Sequence, residues 1–81
     1  MKHKILNIQG CKTAKQALAT ACRNDDGEDL VEISIWHTTT EGEFYQLVQV
    51  FFDNSDLAQS FVEDYSNKSA SKLANSFKIN S

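Results

Sequence analysis

The side chains that could do chemistry in this chain are two cysteines, two histidines and eleven acids. Nucleophilic catalysis needs a thiol or hydroxyl beside a base that a third group orients. A soft metal needs two or more thiolates converging on it. Cys11 and Cys22 stand eleven residues apart, and neither has a partner at ligand spacing. His3 lies near the N-terminus and His37 at the end of an apolar alternation. One acid–base pair is conceivable, between His37 and a glutamate of the hairpin that contains it. The stretch "NDDGED" (24–29) has the carboxylates and glycine of a calcium loop without its regular ligand spacing or later Glu, so it reads as an exposed turn. No glycine-rich phosphate loop is present. The residue types therefore point to binding more than to catalysis, with no catalytic set, metal or cofactor expected.

The distribution of charge is more informative. All eleven acids lie between Asp25 and Asp64, where no Lys or Arg occurs. Residues 1–23 hold five bases and no acid, and residues 65–81 hold three bases and no acid, so a net charge of −3 conceals segments of +5, −11 and +3. A solvated face is the plain explanation of such a run. Exposed ion pairs contribute only about 0–1 kcal/mol each, so stability is a weak reason for the pattern. A one-sign surface also raises association rates with an oppositely charged partner by roughly 10–10³. Asp25, Asp26, Glu28, Asp29, Glu41 and Glu43 are accordingly candidates for steering a basic partner. That partner is a basic or nucleic-acid-binding protein, or a second copy of the chain. The bases are too few for direct nucleic-acid binding, which scales with phosphates neutralised. The converse is a small inhibitor of phage or mobile-element type, whose acidic surface imitates nucleic acid and blocks a host nucleic-acid-binding protein.

The elements that must position these residues are short. Eighty-one residues make one domain, 1–81, and the absence of Pro with only three Gly leaves little material for linkers. No apolar run approaches the roughly 18 residues of a membrane helix. Nor does the N-terminus carry the apolar core of a signal peptide, so a cytoplasmic protein with reduced thiols is expected. "KILNIQG" (4–10) alternates as a first strand. "TAKQALATACRN" (13–24) places Ala14, Ala17, Leu18, Ala21 and Cys22 on one helical stripe, with Thr13 and Gln16 at capping-box spacing. Such a helix would hold the two cysteines about 16 Å apart, too far for a disulfide.

"LVEISIWHT" (30–38) and "EFYQLVQVFF" (43–52) alternate as two strands of a hairpin, turning at Gly42. "DNS" (53–55) supplies N-cap candidates for a helix whose stripe is Leu57, Ala58, Phe61, Val62 and Tyr65. Beyond Tyr65 the helix either continues or breaks near Asn67 and restarts, and "FKIN" (77–80) is a candidate last strand. The expected order is β-α-β-β-α(-β), an α+β two-layer sandwich with an antiparallel sheet and helices on one face. With the last strand it is ferredoxin-like, in strand order 4-1-3-2. That arrangement puts the acids on the hairpin side and Lys2, Lys4, Lys12, Lys15 and Lys78 toward the other edge.

"IQGCKTAKQAL" invites comparison with heavy-metal-associated domains, which join a plait to a Cys-x-x-Cys loop before the first helix. Ala14 stands where the second Cys would be, so the resemblance brings no metal site with it. The sheet face away from the helices is expected to carry Ile5, Asn7 and Gln9, then Glu32, Ser34, Trp36 and Thr38, then Tyr45, Leu47, Gln49 and Phe51. Trp36, Tyr45, Leu47 and Phe51 are the candidate apolar anchors of an interface, since aromatics concentrate at binding hot spots. The "GEFYQLVQVFF" strand lacks the basic-glycine-aromatic signature of RNA recognition motifs. The functional expectation is a small acidic protein-binding domain that forms a homodimer through this face. A further alternative is a small-ligand-binding or catalytic domain with its pocket at a dimer seam.

Overall fold

The computed structural model describes residues 2–77. Four strands are followed by two helices: β1 (Lys2–Asn7), β2 (Gln16–Arg23), β3 (Asp29–Thr39), β4 (Gly42–Phe52), α1 (Ser55–Asp64) and α2 (Asn67–Ser76). The strands form one antiparallel sheet in the order β1-β2-β3-β4, each pairing with its neighbour in sequence. The α+β class and the helices on one face hold, but the order β-α-β-β-α(-β) and the ferredoxin-like plait do not. The segment expected as the first helix is strand β2. The candidate strand at 77–80 falls mainly on residues 78–81, outside the described residues.

The error at β2 has a physical cause. "ALATAC" satisfies two periods at once. Ala14, Ala17, Leu18 and Ala21 fit a helix, while Ala17, Ala19 and Ala21 alternate as one strand face. Alanine favours a helix in isolation, but two neighbouring strands offer ladders on both sides, and tertiary pairing overrides the propensity. Ala17, Ala19 and Ala21 are all buried toward the helices, while Leu18, Thr20 and Cys22 face the other way. Thr13 and Gln16 therefore cap nothing. Thr13 sits in the β1–β2 loop and Gln16 is exposed on β2.

The core lies between sheet and helices. Leu6, the three alanines of β2, and Val31, Ile33 and Ile35 of β3 meet Ala58 and Val62 of α1 and Ala70 and Ala74 of α2. Small residues on both sides let the layers approach closely, and the molecule measures 40 × 24 × 17 Å. Asn54 caps α1 by accepting the Leu57 N–H at 3.0 Å. α1 then crosses the sheet to the β1 edge, where Lys4 Nζ donates to the Glu63 and Tyr65 carbonyls at 3.0 and 2.8 Å. A cation from the start of the chain thus caps the helix C-terminus. Ser66 breaks the run after Tyr65 and caps α2, accepting from Ser69 N–H at 3.0 Å. The break near Asn67 is the branch of the reading that holds.

α2 returns along the loop end of the sheet. Asn67 Oδ1 accepts the Asn7 N–H at 3.0 Å and Ser71 Oγ the Gln9 N–H at 2.8 Å. These side chains cover backbone donors at the end of edge strand β1, which would otherwise invite another strand. Among the described residues, no helix is long and apolar enough to cross a membrane.

Candidate functional site

The uncovered face of the sheet is the candidate site. Alternation sends one set of side chains to the helices and the other outward. The register then aligns the outward set in rows across the strands. One row is Ile5, Leu18, Ser34 and Leu47, and the next pairs Trp36 with Tyr45. The Trp36 and Tyr45 rings lie 4.5 Å apart at 47°, a tilted cross-strand pair. Ile5, Leu18, Trp36, Tyr45, Leu47 and Phe51 are each between 40% and 64% exposed. Five of them, Ile5, Leu18, Trp36, Tyr45 and Leu47, form a patch of the kind that marks an interaction site, while Phe51 lies beyond the polar row Thr20–Glu32–Gln49. Leu30, between Cys22 and Phe51, is buried on the same face.

The four apolar anchors expected from the sequence therefore share the outer face; Trp36, Tyr45 and Leu47 stand together with Ile5 beside them, and Phe51 is set apart next to Leu30. Leu18 was missed because it sat on the supposed helical stripe. The alternation of "QALATACR" carried the signal, masked by alanine's indifference to period. Asn7 and Gln49 also face outward, but Gln9 lies beyond β1, with its backbone held by α2.

The β1–β2 loop makes one wall of a trough on this face. The trough encloses about 940 Å³, with Ile5, Leu18 and Trp36 along it and Lys12 and Lys15 at its loop side. Thr38 N–H donates to Thr13 O at 2.7 Å, which ties the loop to β3.

The candidate acids divide into two groups. Asp25, Asp26 and Glu28 stand exposed on the β2–β3 hairpin tip. Asn24 shapes that tip, accepting the Asp26 and Glu28 N–H groups at 3.1 and 2.9 Å, and Gly27 supplies the positive φ of 80°. Glu41 and Glu43 are exposed at the β3–β4 turn, at the other end of β3. Eleven residues of strand at about 3.4 Å each separate the groups by about 35 Å, so they do not form one surface. Asp29 belongs to neither. It is buried, and Arg23 Nε and Nη2 donate to its two oxygens at 3.2 and 3.4 Å.

The bases also have a place in this order. Lys2 and Lys4 are on edge strand β1, with Lys2 Nζ 2.6 Å from Glu63 Oε1. That pairing lowers the Glu63 carboxyl below its ordinary range, by hydrogen bond and charge. Lys12 and Lys15 lie at the same end of the sheet as Glu41 and Glu43, one hairpin away. The lateral arrangement expected from the plait is thus replaced by one with both signs at the loop end and acids alone at the β2–β3 tip.

The pairing of His37 with a hairpin glutamate is absent. His37 points into the core, where it is fully buried and hydrogen-bonded to Thr13 and Gln46. Cys22, expected in the core, is half-buried on the outer face beside Glu32. Burial and the Glu32 charge push its thiol above the usual value. Comparison of the chain with protein-family models, curated proteins and solved structures finds no match.

Proposed function

We propose that this chain is a protein-binding domain that pairs with a second copy of itself through the outer sheet face. The observation that carries the reading is the asymmetry of the sheet. One face is covered by α1 and α2, while the other presents six large apolar side chains at 40% exposure or more. Four strands of 6 to 11 residues give that face a footprint of about 600 Å². A standard interface buries about 800 Å² of accessible surface per partner, which a side-chain-covered footprint of this size can supply.

Charge selects the orientation. A two-fold axis parallel to the strands lays β1 over the partner's β4 and keeps matching ends together. Ile5 then meets the partner's Leu47, and the Lys12–Lys15 loop faces the partner's Glu41 and Glu43. The trough receives the partner's Tyr45. An axis across the strands would instead set Lys12 and Lys15 over the start of the partner's β1, where Lys2 is already paired with Glu63 and no free acid among the described residues meets them. With the favoured axis both β2–β3 tips come to one end of the dimer. Asp25, Asp26 and Glu28 are thereby doubled into an acidic end that attracts a basic partner. Cys11 and Cys22 both stand as free thiols, which suits a reducing compartment such as the cytoplasm.

The test pairs two leucines of similar exposure, Leu47 on the outer face at 44% and Leu57 on α1 at 48%. Leu47→Glu should weaken self-association by about 100-fold, because it buries an unpaired charge in the interface. Light scattering should then give a folded monomer, with circular dichroism unchanged. Leu57→Glu should remain dimeric. A wild-type chain that is monomeric at high concentration, or a Leu47→Glu variant of unchanged mass, ends the proposal.

A further inference from the structure

A directed hydrogen-bond chain runs through the loop end of the core. Gln46 Nε2 donates to the Leu73 carbonyl at 3.1 Å, which turns its Oε1 toward His37. His37 Nε2 is 2.8 Å from that oxygen and so carries the imidazole proton. Nδ1 is then the acceptor, and the Thr13 hydroxyl donates to it at 2.7 Å. Thr13 Oγ1 has lone pairs left to accept the Cys11 thiol at 3.4 Å. Nucleophile, relay, base and orienting amide thus stand in series, drawn from the β1–β2 loop, β3 and β4. This is the arrangement that activated nucleophiles use, a base held in one tautomer by a third group.

The same heavy-atom positions serve the opposite charge state. If the thiol proton moves to Thr13 Oγ1 as the Thr13 proton moves to His37 Nδ1, every donor and acceptor remains paired. The thiolate end has a donor ready, because Thr13 Oγ1, which would carry the transferred proton, lies 3.4 Å from the sulfur. Burial pushes the Cys11 thiol up, and hydrogen bonding from Thr13 and Ala14 more than offsets it, so the thiol lies below its usual value. The imidazolium end is stacked on Phe77, ring centroids 4.6 Å apart at 18°, and an aromatic face stabilises a cation. Cys11 itself is only half-buried and can be reached from solvent.

We infer that Cys11 is a modification site for soft electrophiles, with His37 taking its proton through Thr13. This inference is independent of the outer-face dimer. For an alkyl iodide, the S–C bond forms as the C–I bond breaks and iodide leaves. The thiol proton passes to Thr13, whose own proton goes to His37; after alkylation His37 returns that proton to Thr13 Oγ1, and the Thr13 hydroxyl, in the half-buried β1–β2 loop, releases its other proton to solvent. Cys22 is the internal reference. It shares the chain and a similar exposure, but its side-chain partner among the described residues is Glu32, an anion that opposes ionisation.

The experiment is alkylation of the intact protein by iodoacetamide from pH 5 to 9. Each cysteine is followed by peptide mass spectrometry, natively and in urea. Folding should accelerate Cys11 by about 10-fold at pH 7, shift its rate profile to lower pH, and slow Cys22. Thr13→Val should remove the acceleration and the shift, and Thr13→Ser should keep both. A Cys11 that reacts more slowly folded than unfolded, or a wild-type profile matching that of Cys22, overturns the inference. So does a folded Thr13→Val variant with the wild-type profile. Should Thr13→Val fail to fold, the wild-type comparison of the two cysteines still decides.

Discussion

Gln46 has both ends of its amide committed, to His37 and to the Leu73 carbonyl. It is buried at 8% exposure on a strand that is otherwise apolar on this side. Leu73 O also accepts from Ser76 Oγ at 2.6 Å, so it survives the loss of Gln46. His37 Nε2–H has no such reserve. Gln46→Leu should therefore destabilise the fold by about 1–3 kcal/mol, the cost of one buried donor without a partner. Urea unfolding measures this directly. A loss under about 0.5 kcal/mol would mean that His37 finds another acceptor. The sequence held little warning of this contact. Gln46 sits between Tyr45 and Leu47 like any polar residue of an amphipathic strand, and its partners lie 9 and 27 residues away.

At the scale of elements, the alanines of β2 decide how close α1 can sit. Ala19 is fully buried between the sheet and the helices. Ala19→Leu adds volume where the layers already touch, and overpacking of this kind costs about 1–3 kcal/mol. Leu18→Ala, on the outer face of the same strand, should cost less. Thermal denaturation of the two variants gives the comparison, and equal losses would mean that the outer face is as tightly packed as the core. The same alanines mark where the sequence could be read and where it could not. The β3–β4 hairpin was legible because Val31, Ile33 and Ile35 are β-branched and alternate, and Gly42 offers the turn. The outer face followed from that hairpin alone, so Trp36, Tyr45, Leu47 and Phe51 were placed on one face even with the wrong topology. β2 was illegible because alanine fits both periods, and the capping-box spacing of Thr13 and Gln16 mimicked a helix start. The N-cap of α1 was legible in "DNS", but its C-terminal cap was not, since the cation that supplies it, Lys4, lies some 60 residues upstream.

For the whole molecule, the charge pattern becomes a statement about assembly. The proposed two-fold would match Lys12 and Lys15 with the partner's Glu41 and Glu43, and it would also bring the two β2–β3 tips together. Their carboxylates then repel. Replacing Asp25 and Asp26 by Asn and Glu28 by Gln should tighten the dimer several-fold at low salt, with the gain fading as the Debye length falls to about 3 Å near 1 M salt. Sedimentation equilibrium at the two salt concentrations reads this, and an unchanged dissociation constant would reject the orientation. The meander also sets a timetable. Each strand pairs with the one made just before it, so the sheet can close as soon as Phe52 is available, while the helices that cover its inner face run from Ser55 to Ser76. A chain whose sheet closes before α1 and α2 dock displays apolar surface on both sides of that sheet, so the docking of the helices is the step that separates a folding intermediate open to aggregation from one with a single apolar face.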